Sequence, residues 1–327
     1  NNGMTHEGST LKHQEIETDP AKVEIRPYHP DTPVTRHYYA QYIDSQYRMD
    51  KRIGEVVAQL KEDGLFEDTI IVYCSDHGGA LPRGKRDIRD TGLHCPLVVR
   101  IPEKFKHLWP NAERGTTVDR LVSFIDMPRT WLAIAGAEIP EAMQGRVFLG
   151  PKSEPEPEYH HAFVSRYDAR LDNSRAVRDK RFLYIRHYMP YAIYGQYIEY
   201  RARGRFYQEW LRLFREGKLD AAEASYFQPK PVEELYDTQA DPDNIVNLAE
   251  SPEHAATLQR MRRRLRGWQL EIHDAGLGPE KEMERLAKEG NTTVAEFVRD
   301  KAALCAALSD SWRTTRVVAA VGLIALE

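Results

Sequence analysis

The run Thr69-Ile70-Ile71-Val72-Tyr73-Cys74, followed at once by Ser75-Asp76-His77-Gly78-Gly79, constrains this chain more than any other segment. A short β-branched apolar run between turn residues is the pattern of a strand buried on both faces of a parallel sheet. Upstream, Tyr39, Ile43, Tyr47, Ile53, Val57 and Leu60 recur at helical spacing, with Pro33 near the start and Gly64 just beyond the end. Helix, turn and strand make half of a βαβ unit. In open α/β sheets ligands collect beyond the carboxyl ends of the strands. A carboxylate and an imidazole emerging there, beside two glycines that let the backbone turn tightly, are therefore a candidate site. The plainer reading has Asp76 capping a turn and His77 merely exposed.

The rest of the chain falls around that segment. At 327 residues it is longer than one core usually organises, so two domains are expected. Residues 1–33 are polar and proline-rich, an extended connector. Pro96-Leu97-Val98-Val99-Arg100-Ile101 is a second strand, and Thr117 to Gly136 a helix that Pro128 should kink or restart. The stretch 150–158 carries three prolines and no apolar side chain and is the clearest boundary. Beyond it Ala162–Val164, Ser174–Val177 and Arg181–Arg186 have the look of antiparallel strands, with helices at Gln208–Arg215 and Glu253–Ala275. The expected fold class is α/β: part of a large mixed or parallel sheet flanked by helices over 1–150, a smaller α+β domain with an antiparallel sheet over 159–280, and a weakly determined helical tail over 281–327.

Two further residues could join the site. Lys85 lies nine positions after Asp76 (85 − 76 = 9), in Arg83-Gly84-Lys85-Arg86 on the loop between the two strands. A lysine returned to the same crevice would bind an oxyanion as a compact point charge; otherwise it belongs to a solvated basic loop. His6, in Thr5-His6-Glu7-Gly8-Ser9, could give a proton to a leaving group near neutral pH, or be a surface histidine.

Taken together, Asp68 to Gly78, Arg83-Gly84-Lys85 and Gly92 to Arg100 resemble the second half of a type I sulfatase catalytic domain. Pro27 to Pro33, Gln144-Gly145-Arg146, and Glu234 to Pro242 followed by Asn247-Leu248 agree in order. The likeness covers about residues 1–285 and is strongest toward the bacterial branch that resembles heparan N-sulfatase. It implies an alkaline-phosphatase-like fold and hydrolysis of a sulfate ester or sulfamate on a carbohydrate. It also implies roles: Asp76 and His77 hold a divalent cation, usually calcium, Lys85 contacts the sulfate, and His6 contacts it and protonates the departing atom. Calcium prefers oxygen, so His77 either ligates weakly or contacts substrate instead. The family's nucleophile is a formylglycine made in a C/S-x-P-x-R motif, and neither Cys74, Cys95, Cys305 nor any serine here sits in one. The expectation is a C-terminal portion of a sulfatase, inactive alone, with the formylglycine upstream. A periplasmic or extracellular place is suggested by the resemblance only.

Other classes are narrowed by composition. The 46 Lys+Arg against 50 Asp+Glu leave a net charge of −4, which gives no generic grip on nucleic acid. Val317 to Leu326 is too short to span a bilayer. Three cysteines make no disulfide framework, and nothing specifies an oligomeric state. Two readings stay beside the sulfatase. An alkaline-phosphatase-like phosphodiesterase or phosphonate hydrolase also places an Asp-His pair after such a strand. A non-catalytic sulfated-sugar-binding module could use the aromatic and basic stretch Arg181 to Arg205, whose bland reading is a packed strand and loop.

Overall fold

The structure, a computed structural model, describes residues 16–110, 113–278, 280–297, 299 and 300. His6, Cys305 and most of the expected tail lie outside the described residues. The first long element is α1 (Pro33–Glu62), opened by Thr32, whose side chain accepts the Thr35 N–H, with proline in the first turn. Gly64, at φ 71°, then turns the chain into β1 (Ile71–Cys74). Next come α2 (Asp90–Leu93), β2 (Leu97–Arg100) and α3 (Asp126–Ala135).

β1 and β2 pair antiparallel, Ile71 opposite Arg100 and Cys74 opposite Leu97. The chain between them is a loop with one helical turn, too little for the crossover that parallel neighbours need. The expected burial on both faces is not met: Val72 is 37% and Val98 59% exposed, and they sit on opposite faces. Leu97 and Val99 on one face pack on Ile101, Leu108, Phe148 and Leu149, while on the opposite face the Tyr73 hydroxyl lies 3.8 Å from Met49 Sδ of α1. The helix expected from Thr117 begins only at Asp126, whose carboxylate accepts the Ser123 and Arg146 N–H groups. Pro128 falls in its first turn, where its missing N–H is harmless, and Gly136 ends it at φ 69°.

The second sheet is antiparallel in the order β3 (His160–Tyr167), β4 (Arg170–Arg178), β5 (Phe182–His187), β6 (Glu233–Asp237). Between β5 and β6 lie α4 (Glu199–Ala202), α5 (Arg205–Arg215) and α6 (Ala221–Ala224). After β6 come α7 (Ala255–Glu271), α8 (Glu280–Glu289) and α9 (Val294–Phe297). Leu258, Met261 and Leu265 of α7 cover one face of the sheet against Val177, Tyr184 and Leu235. The other face, Ala176, Leu183, Ile185 and Tyr236, receives Ile88 from the loop between β1 and β2.

Packing therefore crosses the proline-rich stretch. Tyr38 of α1 shares a cluster with Phe206, Tyr207, Trp210, Tyr226 and Phe227. The stretch itself is tied down: the Glu154 N–H donates to the Val147 carbonyl at 2.7 Å, and its carboxylate accepts from Val147 N–H and Arg129. Among the described residues no helix is long and apolar enough to cross a membrane.

Candidate anion-binding site on the loop between β1 and β2

Residues 75–96 carry Asp76, His77 and Lys85, and their backbone folds into a tight knot. The Ser75 hydroxyl donates to the His77 carbonyl at 2.6 Å, and the Gly78 N–H to the Gly92 carbonyl at 3.1 Å. The Lys85 N–H donates to the Gly79 carbonyl at 2.7 Å, which brings the lysine's main chain back beside the Asp-His turn. Three glycines make this possible. A Cβ on Gly78 would lie 1.9 Å from the Thr91 carbonyl oxygen, one on Gly84 2.1 Å from that of Gly79, and one on Gly92 2.2 Å from that of Asp87. Arg83 and Arg86 adopt φ of 65° and 74°, left-handed backbone that a non-glycine residue holds only when its surroundings fix it.

Those surroundings are visible on both sides. His29, fully buried, bonds the Tyr39 hydroxyl at 2.7 Å and the Pro82 carbonyl at 2.9 Å, pinning the loop to α1. Burial pulls its pKa down to about 3, so the ring stays neutral. Arg83 donates to the Asp243 and Asn244 carbonyls, both at 3.0 Å, and stacks over Tyr28. Arg89 bonds Asp87 at 3.3 Å and Glu234 at 3.1 Å. Asp90 receives Arg178 through two bonds of 2.9 Å and donates its N–H to the Asn244 side-chain oxygen. The Glu234 to Asn247 segment is thus a brace. Glu234 holds Arg89, Asp241 accepts the Ile245 and Val246 N–H groups, and Asn247 accepts those of Leu235 and Ala249.

At the knot's surface, the Asp76 carboxylate is 71% exposed. His77 Nδ1 bonds the Gly78 carbonyl at 2.7 Å, and Nε2 is enclosed, with Asp76 Oδ2 at 3.3 Å. That contact satisfies ion-pair distance without hydrogen-bond geometry, so Nε2 remains an orphaned polar atom next to an exposed carboxylate. These two donors fit part of a cation's shell. Among the described residues no group of three or more His, Cys, Asp or Glu side chains could hold a metal.

Lys85 lines a small cleft with Arg83, Arg86, Asp172, Tyr167, Arg201 and Tyr226, among others; Asp76 and His77 are not in its lining. The structure thus brings Asp76, His77 and the Lys85 backbone together, and turns the lysine toward residues of β3, α4 and the segment after α6. Sequence reasoning missed Arg86, Tyr167, Arg201 and Tyr226. Their signal was weak: Arg86 sits beside Lys85 in a basic loop, and Arg201 falls in the aromatic, basic stretch. Of that stretch, Tyr184 and Tyr194 are inside, while Tyr191 and Tyr197 are exposed.

Comparison with known proteins gives the chain's relatives. The family model described as Sulfatase matches residues 6–137, and that described as N-sulphoglucosamine sulphohydrolase, C-terminal, matches 83–204. The chain is 39% identical over 297 residues to an ulvan-active sulfatase of Formosa agariphila, covering 90% of this chain and 49% of that protein. It is 28% identical to the human N-sulphoglucosamine sulphohydrolase, covering 78% and 52%. In fold it resembles the Bacteroides fragilis protein yidJ (TM-score 0.51, 19% identity, 88% of this chain and 50% of that one). It also resembles a 2-O GAG sulfatase (TM-score 0.51, 19% identity, 73% and 44%). The chain spans about half the length of the curated relatives it matches.

Proposed function

The chain belongs to the sulfatase family, and on that premise we propose that it supplies the cation-holding and sulfate-binding part of a site that hydrolyses a sulfate ester or sulfamate of a carbohydrate. The observation that carries this reading is the knot itself: Lys85 N–H on the Gly79 carbonyl at 2.7 Å, next to the Asp76–His77 pair. Asp76 and His77 would hold a divalent cation, calcium by resemblance, which when bound offsets negative charge on the sulfuryl oxygens. The further donors would come from outside the described residues. Lys85 would take a sulfate oxygen as a point charge. His6 would protonate the leaving oxygen or nitrogen.

Water is consumed, the S–O or S–N bond breaks, and free sulfate and the desulfated sugar leave. The formylglycine nucleophile would come from a C/S-x-P-x-R motif outside this chain, so the chain by itself would bind without turnover. Residues 1–150 would be the C-terminal part of the catalytic α/β domain, and 159–280 a smaller domain bracing its loop. Exposed Val72 and Val98 on the two faces of the β1–β2 pair suit faces covered by further chain.

The test is sulfate release by the full-length protein, read by ion chromatography with calcium supplied. Asp76→Ala should lower turnover by about a hundredfold or more, as for loss of a group stabilising transition-state charge. Unchanged turnover contradicts the assignment. Release of phosphate from phosphodiesters in preference to sulfate would favour the phosphoryl-transfer relatives instead.

A further inference from the structure

The cleft that Lys85 lines measures about 10 Å³, the room of one water, so no sulfate enters it. Two carboxylates, Asp87 and Asp172, share its lining. Across so small a space an unpaired carboxylate would draw the lysine ammonium inward. Neither does so: among the described residues Lys85 has no carboxylate within ion-pair reach. Both acids are already occupied.

Asp87 bonds the Arg89 guanidinium at 3.3 Å and accepts the Arg89 N–H at 2.9 Å. Asp172 accepts the Lys230 ammonium at 2.6 and 2.7 Å, the Asn173 N–H at 2.7 Å and the Ser174 hydroxyl at 3.0 Å. Lys230 comes from the segment between α6 and β6, and its side chain is fully buried. Its own N–H donates to the Pro190 carbonyl at 2.8 Å, and its ammonium lies 5.1 Å from the centre of the Tyr194 ring. The cleft's other cations are held elsewhere: Arg86 by Asp168 at 2.8 Å, Arg201 by the Tyr226 hydroxyl. A buried ion pair is often no more stabilising than an apolar pair of the same volume. Stability alone therefore does not account for a fully enclosed lysine at this place.

We propose that Lys230 is a positioning residue for the anion site: by occupying Asp172 it keeps the Lys85 ammonium unpaired, so that the lysine turns out to a sulfate rather than in to the cleft. The proposal rests on the reading of Lys85 as a sulfate-binding residue.

The test uses the full-length protein with calcium and two readouts. One is calorimetric titration with inorganic sulfate. The other is the rate at which acetic anhydride acetylates Lys85, followed by mass spectrometry; only the neutral amine reacts, and an ion pair disfavours that form. Lys230→Met leaves Asp172 without its cation. It should weaken sulfate binding about tenfold or more and slow Lys85 acetylation about threefold or more, with the circular dichroism spectrum unchanged. Asp172→Asn should leave both readouts unchanged, and combining the two substitutions should restore both. A merely structural pair gives another ranking, because losing either partner strands a buried charge and the two single variants then weaken alike; that result overturns the proposal. So does weaker sulfate binding in Lys230→Met with Lys85 acetylation unchanged, since the lysine has then not been captured. Should Lys230→Met not fold, Asp172→Asn decides: an unchanged acetylation rate supports the proposal, and a faster one means that Asp172 already holds Lys85 and overturns it. If Lys85→Ala leaves sulfate binding unchanged while Lys230→Met still slows acetylation, the sulfate-binding reading of Lys85 fails and the hold of Lys230 on Asp172 stands. If Lys85→Ala weakens binding and Lys230→Met does not, the proposal alone fails.

Discussion

Arg89 and Glu234 meet across 145 positions of sequence, Nη2 to Oε1 at 3.1 Å, with side chains only 4% and 3% exposed. Burial pushes the Glu234 carboxyl up. The Arg89 charge, with hydrogen bonds from His187 and Tyr194, outweighs it and holds the group well below the usual carboxylate range. Removing one partner leaves a buried charge uncompensated. Glu234→Ala should therefore destabilise the fold by about 3–5 kcal/mol, seen as a lower urea midpoint. The paired change Arg89→Leu with Glu234→Leu should recover much of that loss. A single-variant effect below about 1 kcal/mol would show that the pair does not fasten the loop to the sheet.

Stability should also begin to fall with acid at a pH above the ordinary carboxylate range. His29 is buried neutral, with a pKa near 3 against 6.5 when unfolded. Between those values the unfolded chain binds a proton that the native one refuses, so native stability is lost as pH falls from 6.5 toward 3. Half-buried His161, also pulled down to about 3 chiefly by burial, adds a smaller effect of the same sign. Urea unfolding at pH 6.5, 5.5 and 4.5 should show a slope approaching about 1.4 kcal/mol per pH unit from His29. His29→Gln should flatten it. An equal slope in the variant would mean that another group drives the acid sensitivity.

Glycine substitutions separate the knot from ordinary helix. Gly84→Ala drives a Cβ to 2.1 Å from the Gly79 carbonyl oxygen, so the loop must open and Lys85 must move. A loss of more than about 2 kcal/mol is expected, together with weaker binding of a sulfated sugar. In α1, Gly54→Ala meets nothing within 4 Å and should instead stabilise by about 0.5–1 kcal/mol. Thermal unfolding of both variants checks the contrast, and similar shifts in both would remove the case for a tight knot.

How far this architecture could be read from sequence depends on how local each cause was. α1 was legible because its cap, its apolar spacing and Gly64 all lie within the helix or next to it. The strands of the second sheet were legible for the same reason, apart from β6, which sits inside the Glu234 motif. The start of α3 was misplaced because Asp126 selects it by accepting N–H groups from Ser123 and Arg146, the latter 20 residues away. The partial exposure of β1 could not be seen, because it depends on what packs over each face. The Asp76–His77 pair and Lys85 were legible as motif residues, while Arg201 and Tyr167 join them only through tertiary packing. His6 lies outside the described residues.

The account's central claim is that Asp76, through a cation, and Lys85 act on the same sulfate. A double-mutant cycle on the full-length protein tests it most directly: wild type, Asp76→Ala, Lys85→Ala and the double variant, each titrated with a sulfated sugar in calcium. Groups that share one ligand should be coupled by about 0.5–3 kcal/mol, with the double variant's loss departing from the sum of the single losses. Strict additivity, or a Lys85→Ala affinity equal to wild type, would contradict the shared site.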